Sequence, residues 1–412
     1  MRDVLIIAQT LLPGPAGVAV ADGAVLTRNQ TILASGPRAR VEQQASRDAF
    51  RAFFPNGTVL PGLIDSHVHL AFDASEHPVE SLSESNDETL FEAMASRARR
   101  LLDLGVTTVR DLGDRAGLAI KLRNAIASGI LPGPRILSAG APITSEGGHC
   151  WFLGGEVEGI DEIRDHVRRA RFNGADLIKV MATGGRLTPG GPPPWMPQFS
   201  ERELHEIVTE ARRYALPVAA HVHGTESIRS AVAAGVDTLE HCRWMTETGL
   251  DAPQAIVAEI VRKGIYICPT INSNWETLFA RVGRSYGQDL LAIMARHHED
   301  GVLYIGGSDA GIPGIDVGDY SRGLMSYTQI GLTEAEVIQA ATVRAADALG
   351  MATQIGQIAP GLRADLLVVE GNPLRSLSAL QSVLLVMIDG RLHITASTHI
   401  VSSRDAVPRP QP

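Results

Sequence analysis

Cysteine is scarce in this 412-residue chain, with only Cys150, Cys242 and Cys268, odd in number and far apart. That excludes a disulfide framework and a Cys-rich zinc site, and a reducing, cytoplasmic location is the expectation. Basic charge is also short: 37 Lys and Arg face 46 Asp and Glu, for a net charge of -9. There is no basic field for nucleic acid, so small-molecule partners are favoured. No run of about 18 apolar residues occurs, which excludes a spanning helix and a membrane role of that kind. The apolar stretch 4–20 does not read as a signal peptide, because Arg2 is followed at once by Asp3 and the run is broken by Pro13, Gly14 and Pro15. It reads as two strands and a turn.

What is present is a globular composition, 44% hydrophobic and 20% charged, which implies a large buried interior. The length suggests one barrel-sized domain with a smaller one. From residue 59 onward, short runs rich in Val, Ile and Leu alternate with longer amphipathic segments, the pattern of repeated β/α units. Strands are predicted at 59–65, 105–111, 135–139, 176–181, 217–222, 236–240, 265–269 and 302–307. Helical periodicity marks 86–104, 159–173, 201–215, 225–234 and 252–263 between them. Eight units predict an α/β fold, a (β/α)8 TIM barrel over residues 59–355. The flanks, 1–58 and 356–412, carry short strands with Gly and Pro turns and are expected to pair into one small β-sandwich domain. Residues 192–197 read equally as a lid over the barrel mouth or as a connector, and the last dozen residues read as a tail.

His67-Val68-His69 closes the first apolar run. On a strand, residues i and i+2 face the same way, so both imidazoles can meet at one point. Alone the pair also fits two partly buried histidines. Other strand ends carry similar chemistry: Lys179 on the fourth, His221-Val222-His223 on the fifth, His241 after the sixth and Asp309 after the eighth. In a barrel the C-terminal strand ends converge, so these residues are expected in one pocket. Lys179 sits in the apolar run Leu177-Ile178-Lys179-Val180-Met181, where burial lowers a lysine's pKa and favours a neutral amine, which can take up carbon dioxide as a carbamate. A lysine paired with a nearby carboxylate fits the same run. Asp309, in a turn flanked by Gly307 and Gly311, reads alone as an ordinary turn aspartate; together with the histidines it becomes the expected metal ligand and proton acceptor.

These residues and their motifs resemble the amidohydrolase superfamily. The resemblance rests on PGLIDSHVH (61–69), LIKVMATGG (177–185), AHVHG (220–224), Leu239-Glu240-His241, Gly307-Ser308-Asp309-Ala310, ATVRAA (341–346) and PGLRADL (360–366), and it covers nearly the whole chain. It implies two divalent metal ions, most often zinc: His67, His69 and Asp309 on one, His221 and His241 on the other. Carboxylated Lys179 and a hydroxide would bridge them. Within the superfamily the chain looks most like imidazolonepropionase-related hydrolases, a branch that includes Xaa-Pro dipeptidase-like and ochratoxin-hydrolysing enzymes. Cleavage of amides in N-acyl amino acids, dipeptides, carbamates or ureas is implied, with the bridging hydroxide attacking and Asp309 carrying the proton to the leaving amine.

His149 and His223 are candidates for substrate contact, His149 reading equally as a loop histidine; Arg186 could hold a carboxylate but reads rather as a solvated loop arginine, and His297-His298 reads as surface. A mononuclear deaminase or cyclic-amidine hydrolase is the rival reading, because His223-Gly224-Thr225-Glu226 could supply a ligand and a general acid. A non-enzymatic scaffold should lack ligands, and all six positions are filled. Substrate identity, metal identity and homo-oligomer formation stay open, since specificity lies in loops whose shape a sequence does not reveal.

Overall fold

The computed structural model describes residues 3–14, 18–273, 275, 279 and 283–393, so the expected tail lies outside the described residues. Two compact units emerge, one of residues 1–64, 101–107 and 333–412 and one of 65–100 and 108–332. Segments 59–64, 101–107 and 333–355, expected in the barrel domain, group with the chain ends.

The first unit is a seven-stranded sheet. Its spatial order is Arg391–His393, Val383–Ile388, Leu366–Glu370, Phe50–Pro61, Val4–Leu11, Val20–Arg28 and Thr31–Pro37. Val4–Leu11 lies between two neighbours with both faces covered: Ile6, Ala8 and Leu11 join one core cluster, Leu5 and Ile7 the other. Burial on both faces explains why it reads as a continuous apolar run instead of an alternating one. The sheet bends until its ends meet. Thr27 Oγ1 reaches Met387 Sδ at 3.8 Å, although their strands stand far apart in the strand order, and Ile32 N donates at 2.9 Å to Leu362 O in the turn leading into Leu366–Glu370. The structure thus has one bent sheet where a sandwich is expected.

The predicted strand 59–65 divides at Gly62. Val59 and Leu60 pair with Val368 and Leu367 in the bent sheet, while Leu63–Val68 is the first barrel strand. A side chain at Gly62 would put its Cβ 2.2 Å from Thr107 Oγ1, so only glycine fits there.

In the second unit the barrel strands are parallel. Leu63–Val68, Val106–Asp111 and Arg135–Ser138 form one sheet; Ile178–Met181, Val218–Gly224, Thr238–Met245 and Tyr266–Cys268 form another. Isolated parallel bridges carry the pairing onward, Ile143 to Val180, Ile267 to Tyr304 and Val68 to Ala310. The eighth predicted strand, 302–307, is thus present as bridge-making backbone and not as a regular strand. Helices Asp87–Asp103, Gly159–Phe172, Glu201–Arg213, Thr225–Ala234 and Gln254–Lys263 lie close to their predicted bounds. Glu201–Arg213 shows why: Ser200 Oγ accepts from Glu203 N at 3.3 Å and Glu203 Oε2 accepts from Ser200 N at 2.9 Å, a cap worth about 1 kcal/mol. Leu204, Ile207, Val208 and Ala211 then form its buried stripe. Among the described residues no helix is long and apolar enough to cross a membrane.

Candidate metal centre

Parallel register brings the predicted residues together. Met181 pairs with His221, Val222 with His241, and Val68 with Ala310 next to Asp309, so successive strand ends finish at one level. His67, His69, Lys179, His221, His241 and Asp309 are all buried. His67 Nε2 and His69 Nε2 lie 3.3 and 3.5 Å from Asp309 Oδ1. His67, His69 and Asp309 bring one donor atom each within 4.8 Å of one another, and His221, His223 and His241 do the same. The rings of His221 and His241 are 4.7 Å apart, those of His67 and His241 5.1 Å.

The orientation of His67 depends on Glu240, a residue of the motif Leu239-Glu240-His241 that sequence reasoning left without a role. Glu240 Oε2 accepts from His67 Nδ1 at 2.7 Å, while Oε1 accepts from Arg110 Nη2 at 2.7 Å and from Thr238 Oγ1 at 2.6 Å. The proton on Nδ1 leaves the Nε2 lone pair free, and that buried Nε2 has no hydrogen-bond partner. Such an atom costs free energy unless something binds it, so the site fits a divalent cation. His241 is oriented similarly, with Nδ1 2.8 Å from Thr270 Oγ1. Asp65 ties the first strand to the Asp309 turn, accepting from Ser308 Oγ at 2.6 Å and from His67 N at 3.2 Å. Burial pushes the Asp65 carboxyl up to about 7.

Burial sets the protonation of the donors. It pushes His69 down to about 3, with His67 adding to the effect, and holds His221, His223 and His241 well below the usual imidazole range. Neutral imidazoles are what a cation needs. Burial also lowers the Lys179 ammonium, against the pull of Glu240 and Asp309. For Asp309 burial works the other way, but His67 and His69 hold its carboxyl well below the usual range. His241 and Asp309 adopt left-handed backbone, φ 69° and 60°, as does Thr270 at 48°. Strain of this kind collects at functional sites.

The donors open on a cavity of about 330 Å³ whose wall includes His149, Arg186, Leu187, Pro194, His223 and Arg243. A match to the amidohydrolase family model spans residues 58–393.

The chain belongs to the amidohydrolase family.

This amidohydrolase is 30% identical to the ochratoxinase of Aspergillus niger, in an alignment covering 92% of this chain and 84% of that protein. Among solved structures, a Xaa-Pro dipeptidase with bound methionine in the active site is 29% identical with a TM-score of 0.84, over 95% of this chain and all of that one. A prolidase complexed with N-methylphosphonate-L-proline is 27% identical with a TM-score of 0.82, over 95% of this chain and 99% of that one. The amidohydrolase is a hydrolase acting on carbon-nitrogen bonds, in a family that generally binds divalent metals.

Of the remaining predicted residues, His149 reaches the cavity, its Nδ1 3.0 Å from Thr188 Oγ1 and its ring 4.7 Å from that of His221. His223 stacks on His241 at 4.7 Å, and its Nδ1 is buried without a partner. Arg186 is a loop arginine, but it lines the mouth of the cavity. His297 corrects the surface reading: it is 1% exposed, packed edge-on against Trp244. Glu226, the acid of the deaminase reading, is 73% exposed and paired with Arg229, away from the cavity lining. Glu240 has one available signal, its place directly before a ligand-type histidine at the end of a parallel strand.

Proposed function

We propose that this amidohydrolase is a metal-dependent amidase that hydrolyses N-acyl amino acids, dipeptides or related amides and carbamates with a pair of divalent ions, zinc being the first candidate. The observation that carries the reading is the meeting of two donor triplets, His67/His69/Asp309 and His221/His223/His241, at one cavity that Lys179 also lines. His67, His69 and Asp309 would hold one ion, His221 and His241 the other. Lys179 would bridge them as a carbamate, formed when its neutral amine adds carbon dioxide and releases a proton. The ions would supply Lewis acidity toward the scissile carbonyl and a more acidic water.

The chain does the rest. Glu240 keeps the proton on His67 Nδ1, and Thr270 holds the His241 ring. Asp309, ionised at neutral pH, takes a proton on a carboxylate oxygen as water attacks and returns it to the leaving nitrogen. His149 and His223 bind the substrate, with the apolar wall excluding water from around them. The names of the relatives, ochratoxinase and Xaa-Pro dipeptidase, support an amide substrate.

A single-ion reading draws on one observation, the third donor offered by His223 Nδ1 beside His221 and His241. Metal content by mass spectrometry, measured with a screen of N-acyl amino acids and Xaa-Pro dipeptides, separates the two. About two ions per chain with amide cleavage supports the amidase; one ion without it supports the mononuclear alternative.

A further inference from the structure

Beyond the ligands, the cavity is lined by two guanidiniums, Arg186 and Arg243, and, among the described residues, by Asp309 as its one acidic side chain. Arg243 stands two residues past His241 on the sixth barrel strand, Thr238–Met245. Its Nε is closed off from solvent and has no hydrogen-bond partner among the described residues; the same is true of Tyr286 Oη, which also faces the cavity. The Arg243 guanidinium is held instead by an aromatic face, with Cζ 5.6 Å from the Trp275 ring centroid. Trp275 in turn donates from Nε1 to Thr270 O at 3.4 Å. Buried donors left open beside an aromatic clamp are completed by a ligand.

We propose that Arg243 and Tyr286 form a specificity-determining subsite that binds a carboxylate of the substrate, with Arg186 guiding the anion in at the mouth. A planar guanidinium matches a carboxylate with two parallel hydrogen bonds, and the phenol adds a third donor. Met245, Leu290, Ile312 and Ile315 line the same cavity and suit an apolar side chain. The favoured substrate is therefore an N-acyl derivative of an amino acid with a bulky apolar side chain and a free carboxylate. This rests on the amide reading of the site, and the test separates the two.

The holoenzyme is titrated calorimetrically with 3-phenylpropanoate and with uncharged 3-phenylpropanamide, and turnover is compared on N-benzoyl-L-phenylalanine and N-benzoylphenethylamine. The subsite predicts that the carboxylate partner of each pair is favoured by about 10- to 100-fold. Arg243→Met should collapse that ratio, Arg243→Lys restore part of it, and Tyr286→Phe reduce it several-fold. Equal binding of acid and amide by the parent protein, or an undiminished ratio in a folded Arg243→Met, overturns the proposal. Failure to cleave either benzoyl amide while 3-phenylpropanoate still binds through Arg243 would sink the amide reading and leave the subsite standing.

Discussion

Replacing Glu240 with glutamine removes one charge and almost no volume, so its effect is set by the groups around it. The carboxylate accepts on both oxygens, from His67 on one and from Arg110 and Thr238 on the other. An amide cannot do both. With its oxygen toward Arg110, its NH2 faces His67 Nδ1, which must then accept, so the ring proton moves to Nε2 and the metal-facing lone pair is lost. Turned over, the NH2 meets the Arg110 Nη2 donor at a position now 2.7 Å away. Either way Arg110, 4% exposed, keeps a buried charge without its counter-ion. Breaking a buried pair costs about 3–5 kcal/mol, and losing the partner of a ligand histidine costs about 10- to 100-fold in metal affinity. The retained hydrogen bonds place Glu240→Gln near the lower stability figure. Thermal unfolding and a chelator titration followed by metal analysis measure the two effects. A variant with an unchanged melting temperature and a chelator midpoint within about twofold of the parent would refute the role of Glu240.

Asp309→Asn should lower kcat by about 10²- to 10⁴-fold with the fold intact, as expected for a lost proton acceptor, and near-normal kcat on a cleaved amide would contradict the assignment. Chelation should abolish activity and zinc or manganese with bicarbonate should restore it in the parent, but not in Lys179→Met; activity indifferent to exhaustive chelation would remove the metal from the scheme. His166 and His297 are pushed down to about 4 by burial, so between pH 6.5 and 4 the unfolded chain binds protons that the native one refuses. Their stabilisation is whole above pH 6.5 and falls as pH drops toward 4, by about 2–3 kcal/mol each, so His297→Leu should flatten the urea midpoint across that window; an unaltered slope would count against it. Gly224→Ala puts a Cβ 2.4 Å from Trp195 O and should displace the segment carrying Pro194, raising KM several-fold, and a constant KM would show that this segment is not part of the substrate wall.

Local pattern makes most helices legible: Thr225–Ala234 matches its predicted bounds, and Asp87–Asp103 misses by one residue at each end. The clustered histidines are legible because strand periodicity and barrel geometry together bring strand ends into one pocket. The role of Glu240 is not, since two of its three partners, Arg110 and His67, lie 130 and 173 residues earlier in the chain and no local pattern reports them. His297 misleads for a related reason: its sequence neighbours on the helix, Arg296, His298 and Glu299, are polar, while Trp244, against which it packs, lies 53 residues earlier in the chain. The eighth strand is legible as apolar backbone, but its reduction to isolated bridges on the way into the turn that carries Asp309 is not.

That turn bears on how such a barrel can drift. His241, Cys242, Trp244, Thr270 and Asp309 all hold a left-handed backbone that their side chains disfavour, at a cost of order 1 kcal/mol each. Glycine at any of them would relax the chain, yet at 241 and 309 it would delete a donor. Selection for chemistry and selection for stability thus pull in opposite directions at 241 and 309. A descendant freed from catalysis should accumulate glycine or asparagine there first, and should melt at a higher temperature for having done so.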